Sequence, residues 1–317
     1  MSSLADRLAA ARSGAAVGPA LARGLLRLTG RQRLEFVHRL STQSVKALQP
    51  GAVAHLAFLD GKAHVIGDAL LAVRPGDLLL EVEPEVAEPL RAHLARYVLR
   101  DDVKLEDLSA ALRVVPALGP EGVALARARA PQVAAFEHPR RGAPALDVAL
   151  PAAEAEGLRE ALVAAGATPL GAEDLEVLRV LGGVPRQGAD IDPARLVMEA
   201  ALTASAVAFD KGCYLGQEIV LRGTFRGQIQ RGLVQLALPA GAGPGAALRA
   251  GGQEVGAVTS AVETPEGRVG LGYLRRAHWN EGERLETEGG EAVVRRVLVA
   301  EREPAGGRAP GLRMAGR

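Results

Sequence analysis

Residues 210–220, Asp-Lys-Gly-Cys-Tyr-Leu-Gly-Gln-Glu-Ile-Val, place the only cysteine of this 317-residue chain, Cys213, among groups suited to chemistry. Gly212 and Gly216 bracket the thiol and open backbone conformations closed to other residues, while Lys211, Tyr214, Gln217 and Glu218 crowd polar atoms around it. Such a segment reads as a loop that meets a ligand. A neighbouring ammonium favours the thiolate, and burial in the apolar run before it (Ala204 to Phe209) opposes it, so the spacing alone leaves reactivity open.

Composition sets this stretch apart. Lysine occurs only at Lys46, Lys62, Lys104 and Lys211, and arginine supplies the rest of the 38 basic residues. A compact ammonium beside the lone thiol can give up its proton, which a guanidinium does not do. Phe209, Tyr214 and Phe225 are three of the few aromatic residues in the chain, so flat faces are gathered beside polar groups. They fit either a flat heterocycle or ordinary core packing around a Gly-rich turn.

Lys211 to Glu218 resembles the K-G-C-Y-x-G-Q-E signature of the YgfZ-type folate-binding proteins, relatives of the glycine-cleavage T-protein, a tetrahydrofolate-dependent aminomethyltransferase of the GcvT type. Leu178-Arg179, the passage from Gly183 to Asp190, and Arg222, Arg226-Gly227 and Arg231 are similar to flanking family text. Leu28-Thr29-Gly30 through Thr42 resembles the family's opening, with Gln32 or Arg33 where Asp is usual. The T-protein's Gly-Tyr-Thr-Gly-Glu segment is replaced by Arg141-Gly142-Ala143-Pro144-Ala145, and Asp68, the nearest counterpart of its catalytic aspartate, sits two residues late. Both departures argue against aminomethyl transfer.

The resemblance implies an α+β, three-domain GcvT/YgfZ-like architecture with a C-terminal antiparallel β-barrel and a central cavity that binds tetrahydrofolate or a one-carbon derivative. It also implies support of iron–sulfur enzymes, including one that modifies tRNA, or of their assembly proteins. On this reading Lys211, Cys213 and Gln217 form a reactive or ligand-organising wall, and Phe209 or Tyr214 stacks on the pterin. Glu199 grips the pterin's polar edge through charge-assisted hydrogen bonds, with Asp210 as the other acidic candidate. Arg222, Arg226 and Arg231 hold the glutamate tail or an RNA phosphate. Two alternatives stay open: a one-carbon transferase or demethylase with Asp68 as acid/base, and an adaptor that presents Cys213 to an iron–sulfur cluster shared with a partner. Whether the protein catalyses a reaction is not legible here.

At 48% hydrophobic the chain can bury a sizeable core, and its length suggests more than one domain. A net charge of +1 gives no compositional support to direct nucleic-acid binding. One cysteine excludes an internal disulfide framework and a self-contained cluster site. Asp6, Arg7, Arg12 and Arg23 interrupt any apolar run near the N-terminus and no run reaches membrane-spanning length, so a cytoplasmic protein is expected, and a monomer.

The elements that must position these groups fall into three units: 1–117, 118–228 carrying the motif at its end, and 229–303, followed by a tail, 304–317, expected to be disordered. In the first, Val53 to Leu59 and His64 to Val73 are strands joined at Asp60-Gly61, where Gly is expected to supply the positive φ of the turn. A strand over 78–83 and a helix from Pro84 to about Arg100 follow. In the second, helices are expected over 152–165 and 172–181, the latter stopped by Gly182-Gly183. Short β-prone runs from Leu233 onward, separated by Gly-rich turns, predict the barrel.

Overall fold

The computed structural model describes residues 2–130, 134–225 and 229–299. Arg226 and the expected tail lie outside them. The chain opens with helix α1 (Leu4–Ser13), started by a reciprocal pair: the Asp6 amide donates to Ser3 Oγ and the Ser3 amide to Asp6 Oδ2. Then come strand β1 (Ala16–Val17), β2 (Gly24–Thr29), α2 (Arg33–Leu40), β3 (Val53–Leu59), β4 (Val65–Val73), β5 (Leu78–Val82), α3 (Ala87–Ala95) and β6 (Lys104–Asp107). Strands β2 to β6 form an antiparallel sheet in the order β3-β4-β5-β2-β6. Its core face is an apolar cluster including Leu26, Phe36, Phe58, Leu71 and Leu80, all fully buried.

The middle unit continues with β7 (Leu112–Leu118), α4 (Gly119–Arg129), β8 (Ala134–His138), β9 (Ala145–Pro151), α5 (Ala155–Ala164), β10 (Thr168–Pro169), α6 (Ala172–Gly182), α7 (Thr203–Ala206) and α8 (Gln217–Phe225). Its sheet has the order β10-β1-β7-β9-β8. The third unit is a closed antiparallel barrel of β11 (Arg231–Leu238), β12 (Ala247–Ala250), β13 (Gln253–Thr264), β14 (Gly267–Arg275), β15 (Arg284–Thr287) and β16 (Gly290–Val297). Closure removes free edges, so the barrel needs no covering layer.

The α+β architecture and the terminal barrel agree with the sequence reading, and four details differ. The first sheet is drawn only from residues 24–107, because β1 and β7 both join the middle sheet: Ala16 opposes Leu118 and runs parallel to Thr168. A two-residue strand carries no periodic signal, so only its partners reveal it. In the β3–β4 turn the positive φ falls on Ala63 (φ 66), not on Gly61. The helix expected from Pro84 to Arg100 begins as a 3₁₀ turn and ends at Ala95, its end closed by turn-type bonds from the Tyr97 and Val98 amides to Leu94 and Ala95. The barrel contains β12 and β15, two four-residue strands too short to read. The stop of α6 is as expected: Gly183 takes the left-handed conformation (φ 71).

Candidate functional site

The loop between α7 and α8 carries the motif and is stitched to the first unit. Thr42 Oγ1 donates to the Ala206 carbonyl (2.6 Å) and accepts from the Ala57 amide, while the Ala208 amide donates to the Thr42 carbonyl. Further along, Lys211 Nζ donates to the carbonyls of His38 (2.5 Å), Ser41 (2.5 Å) and Gln43 (3.1 Å). These acceptors lie at and just beyond the C-terminal end of α2, where the helix dipole favours a cation. Burial lowers Lys211 to about 8, so at neutral pH it remains the ammonium that three acceptors require. Tyr214 is buried in the core, with the Lys211 ammonium 5.2 Å from its ring centre, and burial pushes its phenol up. Gly216, at φ +78, lies against the β3–β4 turn: a Cβ there would meet the Asp60 carbonyl at 2.8 Å and Ala63 Cα at 2.9 Å.

Cys213 is left exposed at the tip of this doubly anchored loop. The expected wall of Lys211, Cys213 and Gln217 does not form, because all three ammonium protons are directed at backbone carbonyls. Gln217 is half-buried as the first residue of α8. Phe209 packs edge-on against Phe225 with ring centres 5.1 Å apart and, half-buried, lies against the apolar core, so its ring takes the packing alternative. Arg222 is exposed on α8 and paired with Glu218 one turn earlier, a solvated helix pair rather than a ligand clamp.

Asp68 lies elsewhere, in a cavity of about 100 Å³ where the first and middle units meet, and Cys213, Glu199, Phe209, Tyr214, Gln217 and Arg222 are not among its lining residues. Both carboxylate oxygens of Asp68 are engaged. Oδ1 faces His55 Nε2 (2.6 Å) and accepts from Arg140 Nη1 (2.9 Å), and Oδ2 accepts from Arg140 Nη2. Burial pushes the Asp68 carboxyl up, but Arg140 and His55 outweigh it and hold the group well below the usual carboxylate range. Burial and Arg140 together lower His55, whose Nδ1 meets Ser205 Oγ at 2.9 Å. The backbone of Asp68 is also tied down: its amide donates to Gln187 Oε1, and Gln187 Nε2 donates to the Ile66 carbonyl.

The same cavity holds further ion pairs. Arg141 Nη2 reaches Asp147 at 2.5 Å, Arg23 reaches Glu81 at 2.8 Å and Glu83 at 2.5 Å, and Arg179 reaches Glu176 at 2.5 Å. His138 Nδ1 accepts from the Arg140 amide, and its Nε2 lies 3.1 Å from Asp147 in poor alignment for a hydrogen bond. Glu81 keeps one buried oxygen, Oε2, without a partner. His55, Arg140, Arg141, Glu81 and Asp147 were absent from the sequence-based candidates. Only His55 left a readable trace: Ala57 opposes Asp68 across the hairpin, which puts His55 on the same face at the diagonal position.

Glu199 sits half-buried beside the barrel, its carboxylate 3.4 Å from the Leu196 amide and 3.8 Å from Arg195. Burial raises it, partly offset by those neighbours. It therefore does not offer a pterin edge to the cavity around Asp68. Nor do the residues of that cavity fit a whole tetrahydrofolate as they stand, since cofactor pockets usually measure ~300–1,000 Å³. Admitting the cofactor would require arginines to leave their carboxylates. A carboxylate held ionised by a bidentate guanidinium is also a weak proton acceptor, which argues against Asp68 as acid/base in this arrangement.

Residues 230–299 match the family described as CAF17, C-terminal beta-barrel domain. The whole fold is similar to the glycine-cleavage aminomethyltransferase T of Bartonella henselae, with a TM-score of 0.81 over 95% of this chain and 90% of that one at 21% identity. A chloroplastic relative from Arabidopsis thaliana is 25% identical over 275 residues, 80% of this chain and 63% of its own length. The mitochondrial iron–sulfur cluster assembly factor IBA57 of Homo sapiens is 31% identical over 290 residues, 82% of this chain and 76% of that protein. The chain spans 55–63% of the length of the first plant and fungal relatives. These names overturn the expected cytoplasmic location, since the relatives are named mitochondrial or chloroplastic. A missing apolar run bears only on secretion, whereas organellar presequences are amphipathic and Arg-rich. With that identity across three quarters of the human protein, the chain belongs to the family of the iron–sulfur cluster assembly factor IBA57, on the fold of the glycine-cleavage aminomethyltransferases.

Proposed function

We propose that this chain serves iron–sulfur cluster assembly and that Cys213 is the group it presents to the cluster or to the protein carrying it. The carrying observation is the placement of an exposed thiol at the tip of a loop fixed by Lys211 on one side and Gly216 on the other. A single thiolate cannot hold a cluster, so the remaining ligands come from a partner, and the cluster is cargo rather than a resident group. A fixed loop lowers the ordering cost of that shared ligation. The YgfZ-type assignment, and service to a tRNA-modifying enzyme, rest on the eight-residue motif alone.

The test is complementation of cells lacking their own homologue, read as the activity of iron–sulfur enzymes. Cys213→Ser is expected to fold with stability within about 0.5 kcal/mol of the parent, as exposed substitutions do, and to fail in complementation. Full rescue by the serine variant overturns the role of the thiol.

A second reading, tetrahydrofolate in the cavity around Asp68, is supported by the shared fold and by the unpartnered Glu81 Oε2, which suits the N–H groups of a pterin edge. It requires the cavity to widen. Calorimetric titration with tetrahydrofolate and its 5-formyl derivative decides it: saturable binding lost in Glu81→Gln supports this reading, and no saturable binding removes it.

A further inference from the structure

We propose that a second cleft, between the outer face of the barrel and segment 192–199, binds a small oxyanion, either a phosphate group or a carboxylate terminus. Arg231 on β11 and Arg275 on β14 stand directly opposite each other in the antiparallel register. Directly opposed residues share a face, and like charges there repel unless an anion lies between them. Both arginines are exposed, and neither makes an ion pair among the described residues.

Tyr273 stands two residues from Arg275 on β14, hence on the same face. It is 5% exposed and its hydroxyl is buried without a partner. Arg195, from segment 192–199, lies over the Tyr273 ring at 4.0 Å from its centre. Its terminal nitrogens face Asp192 and Glu199, while its Nε is buried without a partner. A guanidinium N–H can only donate, and burial keeps the Tyr273 phenol protonated and able to donate. Two buried donors without a protein partner thus belong to residues that line the cleft with the opposed arginines.

The cleft measures about 150 Å³, and its lining holds Arg195, Arg231, Arg275 and one carboxylate, Glu254. Arg195 is already paired with Asp192 and Glu199, so Arg231 and Arg275 are the two cations there without an ion pair among the described residues. Arginine forks match the oxygens of phosphate and carboxylate groups, which gives the cleft its ligand class. Strands β11 and β14 supply two of the arginines and the segment before Glu199 supplies the third, so the site exists only where barrel and middle unit meet.

Calorimetry on the full chain at low salt, titrating inorganic phosphate in one arm and glutarate in the other, tests this. Saturable binding of either is expected, with phosphate alone indicating a phosphate source and glutarate alone a carboxylate source. Arg231→Gln and Arg275→Gln should each weaken it about tenfold, the scale of a lost charge-assisted hydrogen bond. Tyr273→Phe should weaken it about fivefold without lowering Tm, because the hydroxyl it removes has no partner in the protein. In the absence of anion, Arg275→Gln should raise Tm by relieving the opposed charges, and circular dichroism confirms that each variant is folded. The proposal is overturned if neither titrant gives saturable heat up to about 10 mM, or if the three variants bind as tightly as the parent.

Discussion

Arg140 grips Asp68 with both terminal nitrogens, one on each carboxylate oxygen, across the junction of the first and middle units. The side chains are 18% and 5% exposed, so the pair is largely withdrawn from water. Removing one partner leaves a buried charge uncompensated. Arg140→Met should therefore cost about 3–5 kcal/mol in denaturant unfolding, and the double variant Asp68→Leu/Arg140→Met should recover most of it. Equal instability of single and double variants would show that the pair is no closed unit.

Acid should act on this junction in two stages. His55 is lowered from 6.5, and Asp68 and Asp147 from 3.8. All three bind protons less readily folded than unfolded, so the stability they contribute is complete above the unfolded values and is lost as pH falls through the folded ones. Unfolding free energy should be flat between about pH 6.5 and about pH 8, decline gently below that window, and fall steeply below about pH 4, by up to ~1.4 kcal/mol per pH unit for each group. Above about pH 8 it should rise, because Lys211, lowered to about 8, binds its proton less readily folded than unfolded. His55→Gln should flatten the first stage in part, since His38 and His93 are also lowered by burial. A profile that rises toward acid would contradict the assignment.

Gly216 carries the approach of the motif loop to the hairpin. With φ +78 and the Asp60 carbonyl in its path, an added methyl must displace backbone. Gly216→Ala should destabilise by about 1–3 kcal/mol and accelerate proteolysis within residues 207–216. Gly212→Ala, where a Cβ meets nothing within 4 Å, serves as the control and should be near neutral.

Lys211 closes the other side of the loop. Lys211→Met keeps the stem but takes the ammonium from the Ser41 carbonyl and leaves the Gln43 carbonyl with only the Ser41 hydroxyl at 3.4 Å, and a loss of about 1–3 kcal/mol is expected. Lys211→Arg should not restore it, because a planar fork cannot direct three protons at carbonyls that converge on one point. Restoration of Tm by arginine would show that charge alone matters.

Local features were decided by the sequence itself. The β3–β4 hairpin, the stop of α6 at Gly183, the barrel's longer strands and the loop character around Cys213 each follow from a period, a turn residue or a handedness that a few neighbours fix. The site's partnerships were decided by tertiary structure. Asp68 meets a guanidinium 72 residues away, and Lys211 reaches carbonyls 168–173 residues upstream. No spacing rule links such positions, because their meeting depends on how two sheets and a helix end are brought together. For the same reason Asp68, Lys211 and Glu199 were recognised as polar groups near a site, while their partners and the separation of Asp68 from the Cys213 loop appeared only when the units packed. Local geometry is set by steric limits on adjacent residues, whereas ion pairing in a cavity is set by where burial forces distant charges to find one another.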